Sequence, residues 1–307
     1  MILTGRGLRV ERICAGRRIL SEIAVNIFPF GVYKLRKLIY NKVKGGGRVQ
    51  KTQLRQEHFS DSPFPVQVLC ETDSTNNALK RMRHAPHGTV LVTGRQTDGR
   101  GRLGRRFSSP EGGVYLSVLL RPDVPASELL HLTPMAAVAM RRAVFDCCGI
   151  APDIKWTNDL VWQGRKLGGI LTELVQQDGY PCVIIGVGIN CNNDMEMLPP
   201  EVQKIAVSLR LITGREIDPN ALALHMVRQL AAMDAALMVQ KAKWMAEYAG
   251  ACITVGKQVQ VISGTQRRAA LAEGIDENGG LIVRWENGET AVVSTGEVSV
   301  RGMYGYI

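Results

Sequence analysis

The chain has 307 residues, 45% hydrophobic, 21% charged and 6% aromatic, with a formal net charge of +10. That is a globular composition with enough apolar material for a substantial core, and it excludes a membrane-spanning helix, because no apolar run approaches ~20 residues. Seven cysteines, an odd number without a C-x-x-C pair, read as free thiols of a reducing compartment and argue against a zinc site.

The basic excess sits at one end. Residues 1–60 carry thirteen Lys/Arg against three acids, and the remaining chain balances 25 basic with 25 acidic side chains. Three readings compete for this segment: a basic DNA- or RNA-binding arm, an Arg-rich targeting leader, and a poorly ordered extension. Residues 32–44 have the spacing of one short amphipathic helix, with Val32, Leu35, Leu38, Ile39 and Val43 on one side. Gly45-Gly46-Gly47 ends it, and Phe28-Pro29-Phe30-Gly31 interrupts whatever precedes it. A complete helix-turn-helix does not fit, so the extension reading is favoured over a DNA reader.

From Pro65 the pattern becomes that of a packed domain, spanning residues 61–250. Residues 66–69 read as a strand, and the cap-type residues Asp73-Ser74-Thr75-Asn76-Asn77 open a helix to about Arg83. Strands are expected at residues 89–93 and 114–120, and a helix at 130–147. Further strands begin at Ile154 and cover residues 166–174 and 181–190, the last being the most continuous apolar run of the chain. The alanine-rich stretch 219–249 reads as one or two helices. Strands in the middle and helices bracketing them indicate an α+β layer structure rather than a regular βαβ array. Residues 251–307 differ: short apolar runs separated by Asn278-Gly279 and Asn287-Gly288 carry the hairpin signal of a small β domain about the size of an SH3 module.

One loop demands a chemical reading. Residues 94–107 run GRQTDGRGRLGRRF, and Gly99, Gly101 and Gly104 have the spacing of a dinucleotide-binding turn. That motif needs a helix directly after its glycines, whereas this loop continues through Ser108, Ser109 and Pro110 to a strand at Val114. A P-loop needs G-K-[ST], and the chain has Gly99-Arg100-Gly101. Neither motif is present. What remains is physical: guanidinium forks on a glycine-rich chain suit closure over a phosphate-bearing ligand.

Other stretches follow in order: Lys155-Trp156-Thr157-Asn158-Asp159, then Arg165-Lys166-Leu167-Gly168-Gly169-Ile170-Leu171, then Gly186-Val187-Gly188-Ile189-Asn190. Each has a bland alternative when taken singly. Ser74 and Thr75 suit a helix cap, Lys155 a surface lysine with Trp156 a core anchor, Asn158-Asp159 a turn, Gly168-Gly169 a bulge, and Gly186 and Gly188 a close backbone approach. Taken together with Asp73-Ser74-Thr75-Asn76 and residues 294–298, the ordered set, from about residue 66 to 301, resembles the biotin protein ligases. Lipoate ligases share that fold, but the G-R-G-R-x-G-R loop favours the biotin enzymes.

The resemblance implies a class II synthetase-like ligase fold: a mixed or antiparallel sheet flanked by helices, with a small C-terminal SH3-like β-barrel. It implies ATP and biotin as substrates, Mg²⁺, a biotin carboxyl carrier domain as acceptor, and a homodimer as a further expectation. With no membrane segment and no paired cysteines, a cytoplasmic enzyme is expected. Residue by residue, it makes Lys166 the fixed cation for carboxylate and α-phosphate, aided by Arg100 and Arg102, and Asp159 a metal ligand or proton acceptor. Ser74, Thr75 and Gln96 would bind the ureido ring or the ligand tail, with Gly99 and Gly101 closing over it, and Gly169, Gly186 and Gly188 forming a narrow floor. Arg105, Phe107, Lys155, Asn158 and Asn190 would line the adenylate side with Arg102. Phe107 stands where many relatives carry tryptophan, and Thr157 where proline is frequent. The resemblance also raises an alternative, a bifunctional ligase and biotin-responsive DNA-binding repressor acting through residues 1–60, and a third reading is a lipoate or octanoyl transferase.

Overall fold

The computed structural model describes residues 53–177, 179–294 and 298–302. The basic segment with its expected helix over residues 32–44 therefore lies outside the described residues, as does the middle of the 294–298 stretch. A seven-stranded sheet organises the larger part, in the order β1-β2-β3-β7-β6-β5-β4. Its strands are β1 (Val66–Leu69), β2 (Thr89–Thr93), β3 (Val114–Leu120), β4 (Asp153–Lys155), β5 (Asp159–Trp162), β6 (Arg165–Gln177) and β7 (Tyr180–Ile189). β1 and β2 are parallel, joined by helix α1 (Thr75–Arg81), and every other neighbouring pair is antiparallel. The expected α+β architecture is present.

Side chains alternate across the central strands, and the alternation assigns the two faces different jobs. Val114, Leu116, Val118 and Leu120 of β3, with Val183, Ile185, Val187 and Ile189 of β7, point into the main core. That core is closed by α2 (Leu132–Cys148), whose Ala136, Ala137, Ala139 and Ala143 are buried and keep its surface low enough for close packing of the helices behind it. Each large aliphatic side chain buried there contributes about 1.5–3 kcal/mol of transfer free energy. The intervening residues, Tyr115 and Ser117 on β3 and Gly186 and Gly188 on β7, face the other side, which α1 and a small cluster around Leu79, Leu91 and Ile184 cover only in part. The uncovered remainder is where a ligand can reach the sheet.

Two short helices, α3 (Pro200–Gln203) and α4 (Leu209–Thr213), lead from β7 to α5 (Pro219–Ala236) and α6 (Lys241–Ala251). α5 opens on Asp218, whose carboxylate accepts from Asn220 N–H, with Pro219 in the first turn. The turn named as the bland alternative for Asn158-Asp159 is half present: Asn158 lies in the turn after β4, and Asp159 begins β5. The signal was short, because Asp159-Leu160-Val161-Trp162 is only four residues long before Gln163 (φ 47°) and Gly164 (φ 78°) reverse the chain into β6. The packed body also starts upstream of residue 61, since Phe59 is buried in the main core and Gln56 brackets β1 by bonding Val66 O and Val68 N.

The C-terminal strands β8 (Gln258–Ser263), β9 (Gln266–Ile275), β10 (Leu281–Trp285), β11 (Thr290–Val293) and β12 (Val298–Gly302) form a five-stranded antiparallel sheet in the order β11-β10-β9-β8-β12. Both Asn-Gly turns are where the sequence puts them. The first is tied to the larger sheet: Gly279 O accepts from Trp156 Nε1 at 2.9 Å, and Asn278 Oδ1 accepts from Lys241 Nζ at 2.6 Å. Among the described residues, no helix is long and apolar enough to cross a membrane.

Candidate active site

A cavity of about 520 Å³ opens on the partly covered face of the large sheet. Every candidate site residue read from the sequence lines it except Gly99. Gly99 sits beneath the loop instead. A Cβ there would lie 2.3 Å from Ser109 Oγ and 2.4 Å from Phe107 O, so this glycine permits the loop's base to close on itself and does not form the cavity wall.

The glycine–arginine loop is a compact hairpin. Phe107 N donates to Gly99 O and Gly101 N to Arg105 O, both at 2.8 Å, and Arg100 bridges Arg106. Its tip turns at Leu103 (φ 56°) and Gly104 (φ 71°), a left-handed pair in which the glycine carries no strain and the leucine does. Through this fold Arg100, Arg102 and Arg105 all reach the cavity lining. Arg102 Nη1 donates to Asn158 Oδ1 at 3.2 Å, while Asn158 Nδ2 donates to Ile170 O at 2.8 Å, so the amide couples the loop to β6. Burial lowers the Arg102 pKa and the charge of Asp159 works against that, but a guanidinium keeps its proton in any case.

Lys166 lies opposite the loop. Its Nζ donates to Asp159 Oδ1 at 2.6 Å and stands 5.6 Å from the centre of the Phe107 ring. The pairing of β5 with β6 places Asp159 beside Gly169, and Gly169 leaves room for the Lys166 stem: a Cβ there would be 3.3 Å from Nζ. Lys166 is fixed from behind as well, with its N–H donating to Ile205 O at 2.6 Å and its carbonyl accepting from Val207 N at 2.9 Å. Asn190 ends β7 against the same segment, its Nδ2 donating to Val207 O at 3.1 Å.

At the other end the site is uncharged. Ser74 occupies the N-cap position of α1, yet its hydroxyl makes no capping bond. Gln96 does that from across the loop, its Oε1 accepting from Thr75 N at 2.8 Å, while its Nε2 donates to Ser109 Oγ at 2.9 Å. Gly186 and Gly188 accommodate side chains, not the neighbouring backbone: a Cβ on Gly186 would lie 2.0 Å from Asn76 Oδ1, and one on Gly188 would lie 2.5 Å from the Phe107 ring. Phe107 also meets Tyr115 edge-on at 6.4 Å, which holds the ring against the sheet.

Several lining residues carried no signal in the sequence. Asn76 belongs to the quoted Ser-Thr-Asn run but has no motif of its own, and Leu198, Val202, Ile205 and Ala206 form an apolar wall from a segment with no periodicity. Trp156 and Val300 also line the cavity, Trp156 at the join with the C-terminal sheet.

A basic hairpin faces a fixed lysine, with a neutral hydroxyl-and-amide end beyond it, an arrangement that suits a ligand anionic at one end. Residues 68–190 match the biotin/lipoate A/B protein ligase family, and residues 254–301 match the biotin protein ligase C terminal domain. The bifunctional ligase/repressor BirA of Bacillus subtilis is 33% identical over 276 residues, covering 86% of this chain and 83% of that protein. A biotin–[acetyl-CoA-carboxylase] ligase of Mycobacterium tuberculosis is 33% identical over 242 residues, 76% of this chain and 88% of the relative. The structure of Aquifex aeolicus biotin protein ligase in complex with biotin and ATP superposes with a TM-score of 0.68 at 30% identity, over 78% of this chain and 99% of that one. The chain belongs to the biotin protein ligase family.

Proposed function

We propose that the cavity holds biotin with its ureido ring at the Ser74–Thr75–Gln96 end and its carboxylate at Lys166, and ATP on the side of Arg102, Arg105, Lys155, Asn158 and Asn190. The protein is an ATP-dependent biotin–protein ligase, an enzyme that forms a C–N bond. The observation carrying the residue assignment is the polarity of the cavity, cationic at one end and neutral at the other, which matches a carboxylic acid with a cyclic urea head.

In the first step a carboxylate oxygen of biotin attacks the α-phosphorus of ATP, and the bond to pyrophosphate breaks. Two anions approach each other there, so the barrier depends on cations already in position. Lys166 and the loop arginines supply them, and the backbone bonds at residues 205–207 remove the cost of orienting the lysine during the reaction. In the second step the amine of a carrier-domain lysine attacks the acyl carbon of biotinyl-5′-AMP, AMP leaves, and an amide forms. The attacking amine sheds a proton, and Asp159 is the carboxylate placed to accept it. The hairpin covers the mixed anhydride and keeps water from it.

Among the described residues no group of three His, Cys, Asp or Glu could hold a metal ion, and Asp159 is bonded to Lys166. That donor set fits Mg²⁺ carried in on the ATP phosphates and touched by at most one protein carboxylate, as is usual for this cation. When bound, it would neutralise phosphate charge.

The test is mass spectrometry of a carrier domain incubated with the protein, ATP and either biotin, lipoate or octanoate, repeated with Lys166→Ala and Arg102→Ala. Biotin-specific mass gain that both substitutions abolish supports the reading. Gain with lipoate or octanoate instead, or unchanged rates in the variants, overturns it. A second reading, DNA binding and repression through residues 1–60, is supported by the concentration of charge there and by the ligase/repressor relative. Gel shifts with the full chain and with residues 1–50 deleted, a deletion that spares the packed Gln56 and Phe59, test it, and binding without sequence preference reduces it to charge alone. A cytoplasmic location and a homodimer complete the proposal.

A further inference from the structure

A chain of hydrogen bonds runs from the surface of the sheet to the neutral end of the cavity, and one carboxylate starts it. Glu173 on β6 is partly buried and receives two donors, Lys80 Nζ on Oε1 at 2.7 Å and Asn76 Nδ2 on Oε2 at 2.8 Å. Both donors come from α1. Burial opposes the charge of Glu173, but the bonds from Lys80 and Asn76, together with the more distant Arg100, outweigh it and hold the pKa below the ordinary carboxylate value.

The directions of the following bonds are not free. A carboxylate only accepts, so Asn76 must turn its amide nitrogen to Glu173 and its oxygen to the buried Ser117 hydroxyl. Ser117 has a single proton, and Asn76 Oδ1 can only accept, so the proton goes there. Ser117 Oγ also lies 2.6 Å from Thr75 Oγ1, and two oxygens at that distance need a proton between them. Thr75 therefore donates to Ser117. The alternative acceptor, Gln96 Oε1, is farther off at 3.2 Å and already receives the Thr75 N–H. With its proton committed inward, Thr75 offers only lone pairs to the cavity it lines.

We propose that Glu173 is a positioning and specificity residue: by fixing the direction of the Asn76–Ser117–Thr75 chain, it makes Thr75 Oγ1 a hydrogen-bond acceptor, selective for a ligand that presents an N–H there. The inference rests on the reading of this end as the ureido pocket. It identifies a residue outside the cavity that sets which chemistry the cavity accepts. Neutral glutamine at 173 has one acceptor oxygen for two donors. Lys80, a cation that can only donate, claims that oxygen, and the glutamine Nε2 then faces Asn76. Asn76 must flip, Ser117 must donate to Thr75, and the Thr75 proton, released from Ser117, divides between Gln96 Oε1 at 3.2 Å and the cavity, where it opposes the ligand N–H. Removing the cation releases the glutamine, which can turn its oxygen back to Asn76.

The experiment measures adenylate formation by pyrophosphate release, with biotin and with the oxazolidinone analogue of biotin, in which a ring oxygen replaces one ureido N–H. Wild-type protein, Glu173→Gln, and the double variant Glu173→Gln/Lys80→Met are compared. The wild type should favour biotin over the analogue by about 10–100-fold in kcat/KM, as a site built around a donor rejects a ligand lacking it. Glu173→Gln should lose most of that preference, through a rise in the KM for biotin with the KM for ATP within about twofold of wild type. The double variant should regain at least half of the lost preference on a logarithmic scale. A Glu173→Gln variant that keeps the preference, or that loses activity with both ligands equally while the double variant recovers nothing, overturns the inference. Failure of the wild type to activate biotin at all would instead overturn the functional reading beneath it.

Discussion

Gly186→Ala should weaken biotin use sharply while leaving the protein folded, and the magnitude follows from one distance. A methyl carbon at residue 186 would stand 2.0 Å from Asn76 Oδ1 and 2.8 Å from its Cγ. Real Cβ contacts essentially never fall below 3.0 Å, so Asn76 must retreat by about 1 Å (3.0 − 2.0). It has no slack: the side chain is buried, 2.8 Å from Glu173 and bonded to Ser117, and a shift of that size carries these contacts past hydrogen-bond length. Two bonds broken, one buried and one partly buried, at about 1–3 kcal/mol each predict a loss of roughly 2–6 kcal/mol. Steady-state adenylation should show a KM for biotin raised at least 100-fold, and thermal melting of the unliganded variant should show a Tm lower by several degrees. Gly169→Ala is the internal comparison, because there the new carbon would meet the flexible end of Lys166 at 3.3 Å. It should cost under tenfold. If Gly186→Ala binds biotin within threefold of wild type, or Gly169→Ala is the more damaging of the two, the packing argument is wrong.

Arg102→Ala removes both the cation and the bond to Asn158, and should reduce adenylate formation by about 10²-fold or more, with Asn158→Ala, which keeps the charge, lowering it by less; single-turnover pyrophosphate release separates them. Trp156→Phe leaves Gly279 O without the indole donor at a buried position, so it should destabilise by about 1–3 kcal/mol in denaturant melts and raise the KM for ATP. Glu173 contributes to stability on the acid side, its pKa lying below its unfolded value of about 4.3. Its stabilisation is complete above that value and is lost as pH falls through the folded pKa. The stability difference between wild type and Glu173→Gln should therefore be flat from pH 8 to 5 and shrink below; a difference that grows on acidification would contradict the sign.

Strands β3 and β7 were legible because each is a nearly continuous apolar run, and the loop was legible because its glycines and arginines sit in order with the Lys155–Asp159, Arg165–Leu171 and Gly186–Asn190 stretches. What stayed hidden was held by long-range geometry. Asp159 left a turn open as an alternative because its strand is four residues long and exists by pairing with β4 and β6. Asn76 and Ser117 lie 41 residues apart, and neither carries a pattern that marks it as buried; their meeting depends on α1 crossing β3. The wall at residues 198–206 has no periodicity to read, since it is held by single hydrogen bonds, Lys166 N to Ile205 O and Gln203 Nε2 to Leu198 O, and not by a long helix or strand. Gly99 shows the opposite error: a glycine in the right motif, whose reason is the fold of the loop and not the ligand.

The two ends of the cavity are held by different means, and this separates affinity from chemistry. The neutral end is fixed by side-chain bonds running from Glu173 through Asn76 and Ser117 to Thr75, so on the proposed reading a change there alters which ligand fits. The cationic end is fixed by backbone bonds to Lys166 and by the hairpin carrying Arg100, Arg102 and Arg105, so a change there alters how fast a bound acid is activated. Glycine serves both ends by absence of a side chain: Gly186 admits Asn76 and Gly188 admits the Phe107 ring, each on the β7 face opposite the core. One strand thereby closes the hydrophobic core with its odd-numbered residues and seats the ligand-binding side chains with its even-numbered ones. A one-residue slip of β7 against β3 would exchange the two sets and turn Val183, Ile185 and Ile189 out of the core. The ten-residue pairing of β7 with β6 is what forbids that slip.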